Sequence, residues 1–238
     1  MGMMQDCSPD HHFYQFFSSP QDFGYGGIAR NRTWVMGCHK ECSTCIFDPY
    51  MLLDAIIEAC SVTQTQVRDY LVASESEIMM EAMDLANRRK IAFRTNSPTL
   101  EYLLLEREVE TVWALNHKFR TKYSKDPTAE DNLVYHLGDS SDFCSWSASS
   151  QQIPTFRVGS KSSLYWLPKY GRFLTSKEKL TAMGWPVTKE LAVSQGIPLF
   201  GAKDTKRATD LVGNGMHWQT AGIFQLVSLS CFGPCDNV

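Results

Sequence analysis

The stretch Arg172–Pro186, RFLTSKEKLTAMGWP, carries the signals for both ends of a helix within fifteen residues. Thr175 is placed to accept from a backbone N–H of the first turn, and Glu178, three residues on, to reach back, as in a capping box. Leu180 and Met183 fall on one face at helical spacing. Gly184 suits the left-handed conformation that ends a helix, and Pro186 forbids continuation. Taken alone, these residues describe an ordinary capped surface helix. They constrain the chain further because of Gly213-Asn214-Gly215-Met216 near its other end, read as a tight turn into a final amphipathic helix carrying Ile223, Phe224, Leu226, Val227 and Leu229.

Charge and composition exclude several classes. The 238 residues can bury a real core, and 43% hydrophobic with 21% charged residues is the make-up of a soluble globular chain. A net charge of −3 supplies no global field for nucleic acid, so any such site is a local patch. No apolar run approaches the length that crosses a bilayer, and the leading residues lack the apolar core of a signal peptide. The expected setting is therefore intracellular, with no membrane partner, and the eight cysteines are expected to stay reduced.

In chain order, residues 1–21 read as loop or an incomplete leading element. Phe23-Gly24 opens a glycine-marked loop, and Thr33-Trp34-Val35-Met36 is a plausible buried strand. Arg30 and Arg32, two apart on entering that strand, would present two guanidinium groups on one face, suited to phosphate or a base edge; an isolated pair of this kind is more often a solvated sheet edge. Cys38-His39 with Cys42-x2-Cys45 offers soft metal ligands, but no second knuckle follows, and the reading is a reduced cysteine loop with no metal. Residues 50–60 and 74–90 have helical periodicity, the second with Ile78, Met79, Ala82 and Leu85 as its buried stripe. Residues 98–123 read as a longer helix from Pro98, carrying Leu100, Leu103, Leu104, Val109, Val112 and Trp113. Its tail, Lys118–Tyr123, interleaves bases and aromatics, a pattern seen in single-strand grooves but more often a helix end with favourable charges. Residues 124–152 read as a long serine-rich loop with a short strand at 132–135. Ile153-Pro154-Thr155-Phe156 leads through a turn to Ser163–Trp166. Residues 187–212 read as a connection in which Lys203, Lys206 and Arg207 are grouped.

The order of these pieces resembles the C-terminal part of a DNA cytosine-5 methyltransferase. Phe23-Gly24 with Arg30 and Arg32 is similar to the family's eighth motif. Arg172, Leu174, Thr175, Glu178, Gly184 and Pro186 are similar to the ninth, and Gly213-Asn214 to the tenth. The resemblance implies an α/β chain, the C-terminal remnant of a Rossmann-like S-adenosylmethionine-dependent methyltransferase fold with a helical insertion. It divides into a partial core at 1–49, a helical, target-recognition-like region at 50–152, and the ninth- and tenth-motif region at 153–238. The strand at 32–36 would lie at a sheet edge with the final helix packed on it.

The family flips a cytosine out of the duplex, because the reacting carbon cannot be reached in the stack. The resemblance therefore implies that Arg30 and Arg32 contact the target base and adjoining phosphate, and that Arg172 and Glu178 are structural or form an internal ion pair. It places Gly213, Asn214 and Met216 beside S-adenosylmethionine, with backbone amides at a helix start facing its carboxylate. The implied partner is DNA, and the implied location is the nucleus if the source is eukaryotic. The aromatic-x-G-x-G cofactor loop, the E-N-V triplet and a Pro-Cys ahead of the eighth motif are absent. Pro234-Cys235 follows the tenth motif, out of the family's order. The implied function is therefore a half-enzyme that needs a complementary N-terminal half to transfer methyl groups. The alternatives are a degenerate DNA- or partner-binding module without catalysis, and an unrelated helical interaction protein.

Overall fold

The computed structural model describes residues 2–143, 145–157, 164–201 and 204–235. The turn expected between Arg157 and Leu164, including Ser163, lies outside the described residues, as does Lys203. In chain order the elements are α1 (Gly2–Cys7), β1 (His11–Ser18), β2 (Arg32–His39), β3 (Ser43–Cys45), α2 (Pro49–Cys60), α3 (Glu75–Arg89), α4 (Glu106–Tyr123), β4 (Tyr135–His136), α5 (Ser147–Ser150), β5 (Tyr165–Leu167), β6 (Arg172–Phe173), α6 (Ser176–Ala182), α7 (Lys189–Gln195), α8 (Thr205–Asn214), α9 (Trp218–Cys231) and β7 (Phe232–Pro234). The fold is mixed α/β, and its strands pair in small antiparallel sheets. No helix among the described residues is long and apolar enough to cross a membrane. The chain divides into two units, one of residues 1–26, 30–64 and 217–238, the other of 27–29 and 65–216.

In the first unit β1 and β2 run antiparallel, from His11 opposite His39 to Ser18 opposite Arg32. Along β2, Met36 and Cys38 turn inward and Thr33, Val35 and Gly37 outward, the two-residue alternation of a half-buried strand. α9 lays Phe224, Val227 and Cys231 on the inward face, where the Trp34 and Phe224 rings stack with centroids 4.5 Å apart. α2, capped by the Asp48 carboxylate on the N–H of Tyr50 at 2.8 Å, adds Leu53 to the same core. Two expectations are corrected here. In the leading stretch expected to be loop or an incomplete element, residues 2–7 are a helix and 11–18 a strand: HHFYQFFS puts aromatics on both faces, so no apolar–polar alternation announces β1. α9 is apolar nearly all round rather than amphipathic, and leaves Leu226 and Leu229 exposed, Leu229 by 80%.

The second unit packs α3 and α4 against the antiparallel sheet β4-β5-β6, in which Tyr135 faces Trp166 and Trp166 faces Phe173. Ala82, Leu85, Ala86, Leu115 and Phe119 meet Tyr135, Trp166 and Phe173 in its core. Ser74 caps α3, accepting from Glu77 N–H while the Glu77 carboxylate takes Ser74 N–H at 2.8 Å. The helix expected from Pro98 starts later. A 3-10 turn at Glu101–Leu103 precedes α4, and the buried face of α4 is Glu108, Thr111, Leu115 and Phe119. Val109 is half exposed and Trp113 72% exposed. Of the expected apolar residues, Leu100, Leu103 and Leu104 are buried and Val112 packs on the core; Val109 and Trp113 face outward because Glu108 occupies a core position. There it receives two bonds from the Arg89 guanidinium, at 2.5 and 2.8 Å, and the Leu105 N–H at 2.9 Å.

Residues 187–212 are not a plain connection. Thr188 caps α7, Gly196 closes it at φ 65°, and Asp204 caps α8 through the N–H of Arg207. The serine-rich 124–152 stretch carries β4 and α5, and the strand expected at 132–135 falls at Tyr135–His136.

Candidate functional site

α6 begins one residue after Thr175, whose hydroxyl accepts the N–H of Glu178 at 3.3 Å while the Glu178 carboxylate accepts the N–H of Thr175 at 2.9 Å. Gly184, at φ 76°, ends the turn. The helix is not a surface one: Glu178, Leu180, Ala182 and Met183 are fully buried. Arg172, on β6, meets Glu178 in a bidentate pair, both bonds 2.8 Å, and also donates to the Phe173 carbonyl at 3.1 Å. Two residues six apart thus lock a strand end to a helix start, in a setting where neither charge is freely hydrated. α6 is tied to α3 as well. Ser176 N–H and Oγ donate to Glu81 at 2.8 and 3.2 Å, and the Lys177 ammonium bonds Glu77 at 2.9 Å.

Arg30, just ahead of β2, and Arg32, its first residue, differ in setting. Arg30 is only 2% exposed. Burial, with the Arg30 charge adding to it, pushes the His217 imidazole down to about 3. His217 Nδ1 stands 3.3 Å from the N–H of Thr220 and caps α9, and the ring lies 4.4 Å from that of Tyr25. With Nδ1 accepting, the neutral tautomer carries its proton on Nε2. Arg32, on β2, borders an open depression of about 500 Å³ lined by Phe17, Ser18, Ser19, Asp22, Asn31 and Thr33. One guanidinium with the Ser19 and Thr33 hydroxyls suits a phosphate oxygen; the Ser18 hydroxyl is buried. The Asp22 carboxylate opposes an anion there, although it is engaged by the Ser19 N–H at 2.7 Å. Among the described residues, no cysteine lines this depression.

Gly213 and Asn214 do not turn into the final helix. They are the last two residues of α8, which stops at Gly215, and α9 starts separately at Trp218 with His217 as its cap. The expected row of helix-start amides is therefore corrected to a helix C-terminus, which presents carbonyl oxygens and partial negative charge. Asn214 is exposed and Met216 about half exposed. The Asp204 cap and the TKRATDLVGN pattern of α8 were the local signals against the turn. Arg30 and Arg32 belong to the first unit, and Arg172, Glu178, Gly213, Asn214 and Met216 to the second.

The sequence reading missed a cavity of about 490 Å³ in the second unit, bounded by Glu81, Arg88, Ser176, Lys179, Lys206 and Asp210 over an apolar floor including Leu85 and Phe173. Burial pushes Lys179 down to about 8 and Glu81 up, so both are displaced toward their neutral forms. Lys179 lies three residues from Ser176 and next to Leu180, a spacing that placed it near the buried face; its charge argued for solvent. The Lys118–Tyr123 tail is a packed helix end. Phe119 is core, Lys118 donates to the Ser141 carbonyl at 2.9 Å, and Tyr123 to that of Ser149 at 2.9 Å. Among the described residues, no group of three or more His, Cys, Asp and Glu side chains is placed to hold a metal ion.

Compared with known proteins, the chain matches no family model and no curated sequence.

Proposed function

We propose that the chain is the C-terminal part of a DNA cytosine-5 methyltransferase, derived from a Rossmann-like fold, acting in the nucleus if the source is eukaryotic. The observation that carries the reading is Arg32. It lies at the end of a strand, follows Phe23-Gly24, and walls an open depression together with Ser18, Ser19 and Thr33. This is a local cationic, hydroxyl-rich feature in a chain whose net charge is negative. The Arg172–Glu178 brace supports the same reading, because the ninth motif of that family supplies structure rather than chemistry.

In this proposal Arg32 takes a phosphate beside the flipped cytosine, and buried Arg30 fixes the loop that carries it. Gly213, Asn214 and Met216 border the cofactor. The exposed Asn214 amide and the final carbonyls of α8 fit the amino and ribose hydroxyl groups of S-adenosylmethionine better than its carboxylate. When bound, that cofactor supplies the methyl group. The nucleophile belongs to a complementary N-terminal half, and the chain alone is inactive.

A second reading, a DNA-binding module without catalysis, rests on the same Arg32 depression and needs no complementary half. Titration of a short cytosine-containing duplex against salt tests the DNA site. Affinity should fall as salt rises, and Arg32→Ala should lower the slope of log K against log salt by about 0.9, one phosphate contact. Binding that is independent of salt, or unchanged in the variant, rejects the assignment of Arg32.

A further inference from the structure

We propose that Cys42 and Cys235 form a reversible dithiol–disulfide pair that staples β3 to β7. The ladder between these strands sets Ser43 opposite Pro234, Thr44 opposite Gly233 and Cys45 opposite Phe232. The ladder ends there, but Cys42, in the turn just ahead of β3, and Cys235, just after β7, are the next residues along its register, and the Cys235 N–H donates to the Cys42 carbonyl at 3.2 Å. Directly opposed residues of an antiparallel pair point to the same face, with Cα atoms about 5.5 Å apart where the pair is hydrogen-bonded. That spacing lies inside the range of roughly 4.4–6.8 Å that a disulfide spans. The Cβ atoms of such a pair stand about 4.5–5.5 Å apart against the roughly 3.5–4.5 Å a disulfide needs, so closure draws the two strands together slightly. A bond formed under that demand and near solvent is readily reduced again.

Rival pairings lack this arrangement. The Cys42-x2-Cys45 motif suggests a redox pair, but β3 is extended. Three residues of extended chain span about 10 Å, beyond the roughly 7 Å limit for closure without backbone movement. Cys38 faces His12 across its own ladder and contacts the Ser43 hydroxyl at 2.9 Å. Cys45 faces Phe232 and donates to the Phe47 carbonyl at 3.1 Å. Cys38 and Cys231 are buried, whereas Cys42 is exposed and Cys235 half-buried, so the opposed pair is the one a small reagent reaches.

The co-reactant is a low-molecular-weight disulfide such as oxidised glutathione. The Cys42 thiolate attacks one of its sulfurs, the S–S bond breaks, and one small thiol leaves with the proton Cys42 gave up. The Cys235 thiolate then attacks Cys42 Sγ in the mixed disulfide and releases the second small thiol. The two cysteines are oxidised by two electrons and the small disulfide is reduced by two.

The test treats the full chain, dilute enough to suppress bonds between molecules, with oxidised glutathione, and maps the cysteine peptides by mass spectrometry. The expected result is a Cys42–Cys235 cross-linked peptide that disappears with dithiothreitol. In Cys42→Ser, Cys235 should instead carry a stable glutathione adduct, and in Cys235→Ser the adduct should stay on Cys42. Wild-type mapping requires no variant to fold. Joining of Cys42 or Cys235 to any other cysteine, or persistent glutathione adducts on both in the wild-type chain, overturns the proposal.

Discussion

Replacing Glu178 by alanine tests how far the second unit depends on the β6–α6 brace. The substitution strips both carboxylate bonds, each 2.8 Å, from the Arg172 guanidinium and removes the acceptor of the Thr175 N–H. Glu178 is fully buried and the Arg172 side chain 11% exposed, so water does not replace what is lost. Breaking one side of a buried pair costs about 3–5 kcal/mol, and a lost helix-cap bond adds about 1 kcal/mol. Urea unfolding followed by tryptophan fluorescence reads the change. With a slope of about 2 kcal/mol per molar urea, the midpoint falls by roughly 2–3 M.

Arg172→Met with Glu178→Leu removes both charges, and the double variant should recover most of that loss, since apolar replacements of a buried pair are often neutral. Measured against the single variants Arg172→Met and Glu178→Leu, the double variant then fails to add, with a coupling energy above about 1.5 kcal/mol. Lys177→Ala, at the partly exposed Lys177–Glu77 pair, is the control: it leaves the Glu77 cap of α3 in place and should cost under about 1 kcal/mol. A Glu178→Ala loss as small as the control's, or strictly additive variants, would refute the reasoning.

His217 makes stability depend on acid. Its folded pKa, about 3, lies below the ordinary 6.5, so the unfolded chain binds the extra proton first; the stabilisation is complete above pH 6.5 and is lost as pH falls toward 3. Between pH 6.5 and 4.5 the loss is about 2 kcal/mol. His217→Asn, which keeps a capping acceptor, should flatten that slope in melts across the range; an unchanged slope would show that the imidazole is not the titrating group. Gly27→Ala should destabilise by about 1–3 kcal/mol, because its Cβ would sit 2.6 Å from the Gln66 carbonyl carbon and 2.7 Å from Val67 N. A melting temperature equal to wild type would show that the two backbones have room to part.

Local signals with a stated backbone geometry were legible in the sequence. Thr175, Glu178 and Gly184 bounded α6, Ser74 and Glu77 opened α3, and TWVM lay inside β2. What escaped depended on partners distant in sequence. Glu108 reads as a surface acid until Arg89 is opposite it. β1 reads as loop until β2 is beside it, and Lys179 reads as solvent-facing until Glu81 closes over it. Gly213-Asn214 misled for a different reason. A glycine pair reads as a turn, but α8 continues through the first glycine to Asn214. The functional reading joins the Arg32 depression to the order of these motifs, and one measurement of methyl transfer tests both.

That measurement is transfer of a labelled methyl group from S-adenosylmethionine to cytosine in duplex DNA. It is run with this chain alone, and with an N-terminal half that carries the family's cofactor loop and Pro-Cys. The account predicts no incorporation by either part alone and incorporation by the two together, reduced at least tenfold by Arg32→Ala, a loss of about 1.4 kcal/mol or more in transition-state binding. Absence of incorporation with both parts present and DNA bound would contradict it.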